Sequence, residues 1–210
     1  MSWTARLLRS AAHHVSASRV AVIDIGSNSV RLVVFDGPPG APVALLNEKT
    51  MCGLGRTLEE NNRLDPDGVV QALATLGRFA RLAEGMGVGE MRAVATSAVR
   101  DASDGPEFAA AIQQQTGIEV RVLTGAEEAE YSAHGVLGGI PDADGAMGDI
   151  GGGSLELVLL NRGRIGENAT LPVGPLRLMR LGGRPAMRLF GYSIVYLALL
   201  FVAMAVDRFV

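Results

Sequence analysis

One short unit occurs twice in this chain. Residues 24–35 read DIGSNSVRLVVF and residues 149–160 read DIGGGSLELVLL, so an Asp, a Gly/Ser turn and a second apolar strand are repeated with Asp, Ile, Gly, Ser, Leu and Val matched. A β-branched run before the Asp and another after the turn is the pattern of a tight hairpin. Glycine in such a turn lets the backbone come close to a ligand and adopt positive φ, so that successive amide groups point into one concavity that suits phosphate oxygens. Ser27, Asn28, Ser29 and Ser154 add side-chain donors. Asp24 and Asp149 stand just before the turns, where a carboxylate can hold Mg²⁺ or orient water beside a bound phosphate. Many hairpins have such turns after an Asp and bind nothing. Two matched copies are either a structural repeat or twin loops that face each other across a cleft and hold a chain of phosphates.

The chain has 210 residues, 48% of them hydrophobic, which suffices for one large domain or two modest ones and excludes a disordered class. A net charge of −3 argues against a nucleic-acid partner, so any polyanion must be met by a local group of cations. Cys52 is the only cysteine, which rules out an intramolecular disulfide and suits a reducing compartment. His13, His14 and His134 have no ligand-like spacing with it, so carboxylates must hold any metal. Residues 1–19 contain Arg6, Arg9 and Arg19 without the apolar run of a secretory signal, and read as a loose N-terminal extension.

Strands are expected over 20–26, 30–36 and 42–50, then a loop over 51–64 in which Arg56 is either a phosphate contact or a solvated side chain. Asp65 and Pro66 form an N-cap and N1 pair, and apolar residues from Val69 to Ala83 then recur at helical spacing up to Gly85. A strand over 92–96 leads into TSAVRD, which presents Thr96, Ser97 and Arg100 at a strand end, a usual place for a ligand cleft in an α/β sheet. A helix over 105–115, capped by Asp104 or Ser103 and stopped by Gly117, precedes a strand over 118–123. Thr124 and Glu127 then form a capping box that opens another helix running towards Gly138. Glu127 is thereby committed to structure. Glu128 faces another side of the helix, has no basic partner four residues on in Ser132, and is either solvated or free for chemistry.

VIDIGSNSVRLVV, AVATSAVRDA, VRVLTGAEEAEYSAHGV, GDIGGGSLELVL and LPVGPLRL, in this order over about residues 20–181, resemble the exopolyphosphatase and guanosine pentaphosphate phosphohydrolase family, Ppx/GppA. The resemblance implies an α/β fold built on an RNase H-like lobe of the actin, Hsp70 and sugar kinase superfamily, with the cleft between two lobes. It also implies Mg²⁺-assisted hydrolysis of a terminal phosphoanhydride of polyphosphate or guanosine pentaphosphate. Carried onto this chain, it makes Glu128 the base that activates water, sets Glu156 beside the metal or water, and gives Asp24 and Asp149 to the metal and nucleophile. Gly26, Ser27, Asn28 and Ser29, with Gly151, Gly152, Gly153 and Ser154, would bind phosphates, and Arg100 would neutralise their charge. Such a reaction needs positioning, a metal and one base, and no covalent nucleophile. A base working near neutral pH needs its pKa raised by burial or by neighbours such as Asp24, Asp149 and Glu156.

On this reading residues 20–124 form the first lobe, 125–181 the start of a truncated second lobe, and 182–210 an apolar tail. Residues 189–206 are uncharged and at the lower limit for crossing a bilayer, and Arg184 and Arg188 would keep their N-terminal side in the cytoplasm. The alternative is a buried core helix. RPAMRLFGYSIVYLALLFVAMAVDRFV resembles the last membrane helix of the protoheme IX farnesyltransferase family. It lacks acidic diphosphate-binding motifs, so no prenyl transfer is implied and the join reads as a fusion to a foreign helix. The expected location is cytoplasmic, with membrane contact through 189–206. The residues leave oligomeric state open, a homodimer included. Two other functions remain open beside hydrolysis: phosphate-chain binding without turnover, and an ATP-dependent kinase of the same superfamily.

Overall fold

The computed structural model describes residues 19–38 and 41–174. The expected N-terminal extension and apolar tail lie outside the described residues, apart from Arg19. The described elements are β1 Val20–Ile25, β2 Ser29–Asp36, β3 Val43–Met51, α1 Leu58–Asn61, α2 Pro66–Gly85, β4 Glu90–Ala95, α3 Ser97–Asp101, α4 Gly105–Thr116, β5 Val120–Val122, α5 Gly125–Gly139, β6 Gly145–Ile150, β7 Leu155–Asn161 and β8 Arg164–Leu171.

Alternation along β1 decides which way the first sheet faces. Ala21, Ile23 and Ile25 are fully buried while Asp24 between them is exposed, and β2 repeats the pattern with Val30, Leu32 and Val34 inside and Arg31 outside. The buried rows meet Leu76 and Phe79 of α2 and Ile112 of α4, giving a core in which each large side chain gains about 1.5–3 kcal/mol from leaving water. Asp24 and Arg31 therefore stand on the face opposite the helices. The sheet order is β3-β2-β1-β4-β5, with an antiparallel meander of β1 to β3 and parallel β1, β4 and β5. This is the mixed α/β sheet expected of an RNase H-like lobe.

Local signals form as the residues dictate. Asp65 caps α2 by accepting from the Gly68 amide at 2.8 Å, with Pro66 at N1. The Thr124–Glu127 capping box is present in both directions. Glu127 also pairs with Arg121, and these bonds, led by the one from the Thr124 amide, pull its carboxyl down to about 2. Asp104 occupies the N-cap position of α4, but its carboxylate instead accepts from the Leu64 amide at 3.0 Å and pairs with Arg63.

Three expectations change. The 51–64 loop contains the turn of helix α1, the 118–123 strand shortens to β5, and residues 97–101 coil into α3 instead of continuing as an open strand end. The sequence reading also passed over β8, which completes a second, antiparallel sheet of order β6-β7-β8. Helix α5 packs on that sheet through a smaller core of Ala129, Ala133, Val158 and Leu160.

Candidate active site

Both repeated turns close in the same way. The Gly26 amide donates to the Ser29 carbonyl and the Gly151 amide to the Ser154 carbonyl, each at 2.9 Å. Gly26, Gly151, Gly152 and Gly153 are none of them in the left-handed region, which corrects the expectation that these turns need positive φ. At Gly153 the requirement is room. A Cβ on Gly153 would lie 2.7 Å from Ser97 Oγ and 3.2 Å from Ser27 Oγ, and those two hydroxyls are hydrogen-bonded to each other at 2.8 Å in a buried contact. The second turn thus lies directly against the first and against the start of α3.

The two turns share a cleft of about 730 Å³. Of the residues singled out in the sequence, Asp24, Gly26, Ser27, Asn28, Ser29, Thr96, Glu128, Asp149, Gly151 and Gly152 face it. Among the described residues no backbone hydrogen bond takes up the amides of Ser27, Asn28, Gly152 or Gly153. Arg56 does not face the cleft; its guanidinium folds back over Gly53.

Glu128 is not free, as its sequence surroundings suggested. Arg100 Nη1 donates to Glu128 Oε2 at 2.9 Å and to the Leu123 carbonyl at 3.1 Å, while Arg100 Nε pairs with Asp101 at 3.3 Å. Burial works against the Arg100 charge, but Glu128 and Asp101 more than offset it, so the guanidinium stays protonated. Arg100 does not itself line the cleft. Nor do Gly153, Ser154 or Glu156. Ser154 and Glu156 are 2% and 1% exposed, and Ser154 Oγ and Glu156 Oε1 are buried without a hydrogen-bond partner. Burial pushes the Glu156 carboxyl above its ordinary range; the nearby Ser154 hydroxyl, outside hydrogen-bond geometry, opposes this, while Glu128 and Asp149 add to it.

Asp24 opens onto the cleft, yet the surrounding protein shields it from bulk water. This desolvation, with the Glu128 charge next, raises its pKa, against a counter-pull from Arg31. Asp149 is fixed by Ser132, whose hydroxyl donates to Oδ2 at 2.5 Å. The sequence reading missed Ser132, Tyr131 and Lys49 on the cleft wall. Helical spacing was the available signal for the first two, because Tyr131 and Ser132 follow Glu128 by three and four residues on α5.

Asp24, Asp149 and Glu156 do not gather into one ligand set. Among the described residues no group of three or more His, Cys, Asp or Glu side chains is placed to hold a metal ion. Of these three, Asp24 and Asp149 face the cleft, which suits a magnesium ion that keeps several waters and takes one or two carboxylates plus substrate oxygens.

The sequence model of the Ppx/GppA phosphatase family matches residues 33–181. The chain belongs to that family. Exopolyphosphatase 1 of Mycobacterium tuberculosis is 32% identical over 142 residues, covering 66% of this chain and 41% of the relative. Among solved structures, an exopolyphosphatase from Cytophaga hutchinsonii superposes with a TM-score of 0.76 at 29% identity, over 90% of this chain and 63% of its own. The Aquifex aeolicus member of the Ppx/GppA family gives 0.69 at 32% identity, over 77% and 53%. The chain therefore spans about half or less of the length of these curated relatives. Glu128 is the second Glu of the EEA segment, inside the matched residues.

Proposed function

We propose that this chain hydrolyses the terminal phosphoanhydride bond of a polyphosphate chain and releases orthophosphate. The convergence of both acidic glycine turns and Glu128 on one cleft supports this reading most strongly, and the relatives named exopolyphosphatase agree with it. Amides of Ser27, Asn28 and Gly152 receive the terminal phosphates, where closely spaced donors offset spread negative charge. Magnesium, when bound beside Asp24 and Asp149, supplies charge neutralisation at the phosphoryl oxygens. Glu128 takes a proton from the attacking water. The water oxygen bonds to the terminal phosphorus as the bridging P–O bond breaks, and the leaving chain carries away that electron pair. Ser132 keeps Asp149 turned towards this centre. Guanosine pentaphosphate presents the same terminal chemistry and is the other substrate of this reading.

The test is orthophosphate release from polyphosphate with magnesium, comparing the chain with its Glu128→Gln form, which keeps shape and removes the base. A fall of about 10²–10⁴-fold with binding retained is expected. Equal rates in the two forms would remove Glu128 from its role, and binding without any release by the unaltered chain would make this a phosphate-binding module instead.

A further inference from the structure

Lys49 is the only cation among the described residues facing the cleft, and it makes no ion pair among them. Arg100 is held by Glu128, Asp101 and the Leu123 carbonyl. Arg31 does not face the cleft and donates to Asn47 Oδ1 at 2.8 Å. Among the described residues, Lys49 is therefore the available positive charge that a polyanion entering this cleft meets.

Strand register fixes where that charge stands. Asp24 lies opposite Arg31 across β1 and β2, and Arg31 opposite Lys49 across β2 and β3, so the three form one row on the sheet face away from the helices. Strands are about 4.8 Å apart, which places the Lys49 backbone about 10 Å to the side of Asp24. That sets Lys49 to one side of the glycine turns, where its charge suits phosphates further along a chain.

We propose that Lys49 contacts the inner part of the phosphate chain, so that a bound polyphosphate runs from the paired glycine turns outward over β2 towards β3. This rests on the proposed phosphate-chain reading of the cleft and adds to it a direction of travel and a preference for length. A flexible ammonium acts as a point charge and tolerates the many conformations of such a chain.

Binding is measured by calorimetry on the Glu128→Gln form, with pyrophosphate, tripolyphosphate and a longer polyphosphate, at several salt concentrations. Adding Lys49→Gln is expected to weaken the longer polyphosphate by about tenfold, to leave pyrophosphate within about twofold, and to lower the salt slope by about one contact. Lys49→Arg, which keeps the charge, should restore most of the lost affinity. Unchanged affinity and salt slope for the long chain in Lys49→Gln, or an equal loss for pyrophosphate, would overturn the role of Lys49 while leaving the cleft reading intact. Failure of both the unaltered chain and the Glu128→Gln form to bind any of the three would overturn the cleft reading, and this inference with it.

Discussion

Arg100 holds Glu128 across 28 residues of sequence, with Nη1 donating to Oε2 at 2.9 Å and the two side chains only 22% and 13% exposed. The proposed base is thus presented to the cleft by a cation set behind it. We propose from this a positioning task for Arg100, to be weighed against the charge neutralisation that the resemblance implies.

A double-mutant cycle measures that task. Arg100→Gln and Glu128→Gln should each destabilise the chain in urea unfolding, and the double variant should lose less than the sum. A coupling of about 1–2 kcal/mol is expected for a charge pair at this partial burial. Arg100→Gln should also lower kcat more than it raises KM for polyphosphate, because the displaced group is the base. A rise in KM alone would mean that Arg100 contacts the substrate directly.

Glu156 is the reverse case, a carboxyl that burial keeps above its ordinary range and whose Oε1 has no partner. The folded chain holds this proton more tightly than the unfolded chain, so folding loses stability as pH rises through the unfolded value of 4.5 and on to the raised folded value. Above that window the full cost of the buried charge is present. Glu156→Gln should therefore raise Tm at neutral pH, and the gain should fade as pH falls through that window and be gone below about 4.5. A gain that persists unchanged in acid would show that something other than the charge is responsible.

Sequence reading succeeded where the physics is local. The Asp65 cap, the Thr124–Glu127 box and the two hairpins each depend on residues within a few positions of one another, and each forms. Distant pairings were hidden: Arg100 reaches Glu128 only because the chain passes through α4 and β5 and then starts α5 at the end of the first sheet. Lys49 faces the cleft because of a strand register that β3 alone, mostly exposed along its length, does not announce. Strand β8 was missed because RIGENATL has no apolar alternation. Its signal lay in the preceding turn, where Arg162 at φ 45° and Gly163 at φ 79° make the two-residue hairpin connection that an Arg-Gly pair between strands can provide. The glycine turns were found for a partly mistaken reason, since at Gly153 close approach of the two loops, and not a left-handed backbone, is what excludes a side chain.

That last point separates two glycines of the same turn. Neither Gly151 nor Gly153 is left-handed, so alanine strains the backbone of neither. A Cβ on Gly151 would meet its nearest neighbour, the Ser154 carbonyl, at an ordinary 3.6 Å. On Gly153 it would press on Ser97 Oγ at 2.7 Å and break the Ser27–Ser97 contact that joins the first turn to α3. Gly153→Ala should cost about 1–3 kcal/mol and lower Tm by about 3–10 °C, whereas Gly151→Ala should stay within about 0.5 kcal/mol. Ser97→Ala in the Gly153→Ala background removes the atom that is struck and should recover part of the loss. If the two alanine variants melt together, the turns are not packed against each other as the Gly153 contact requires, and the shared cleft loses its wall.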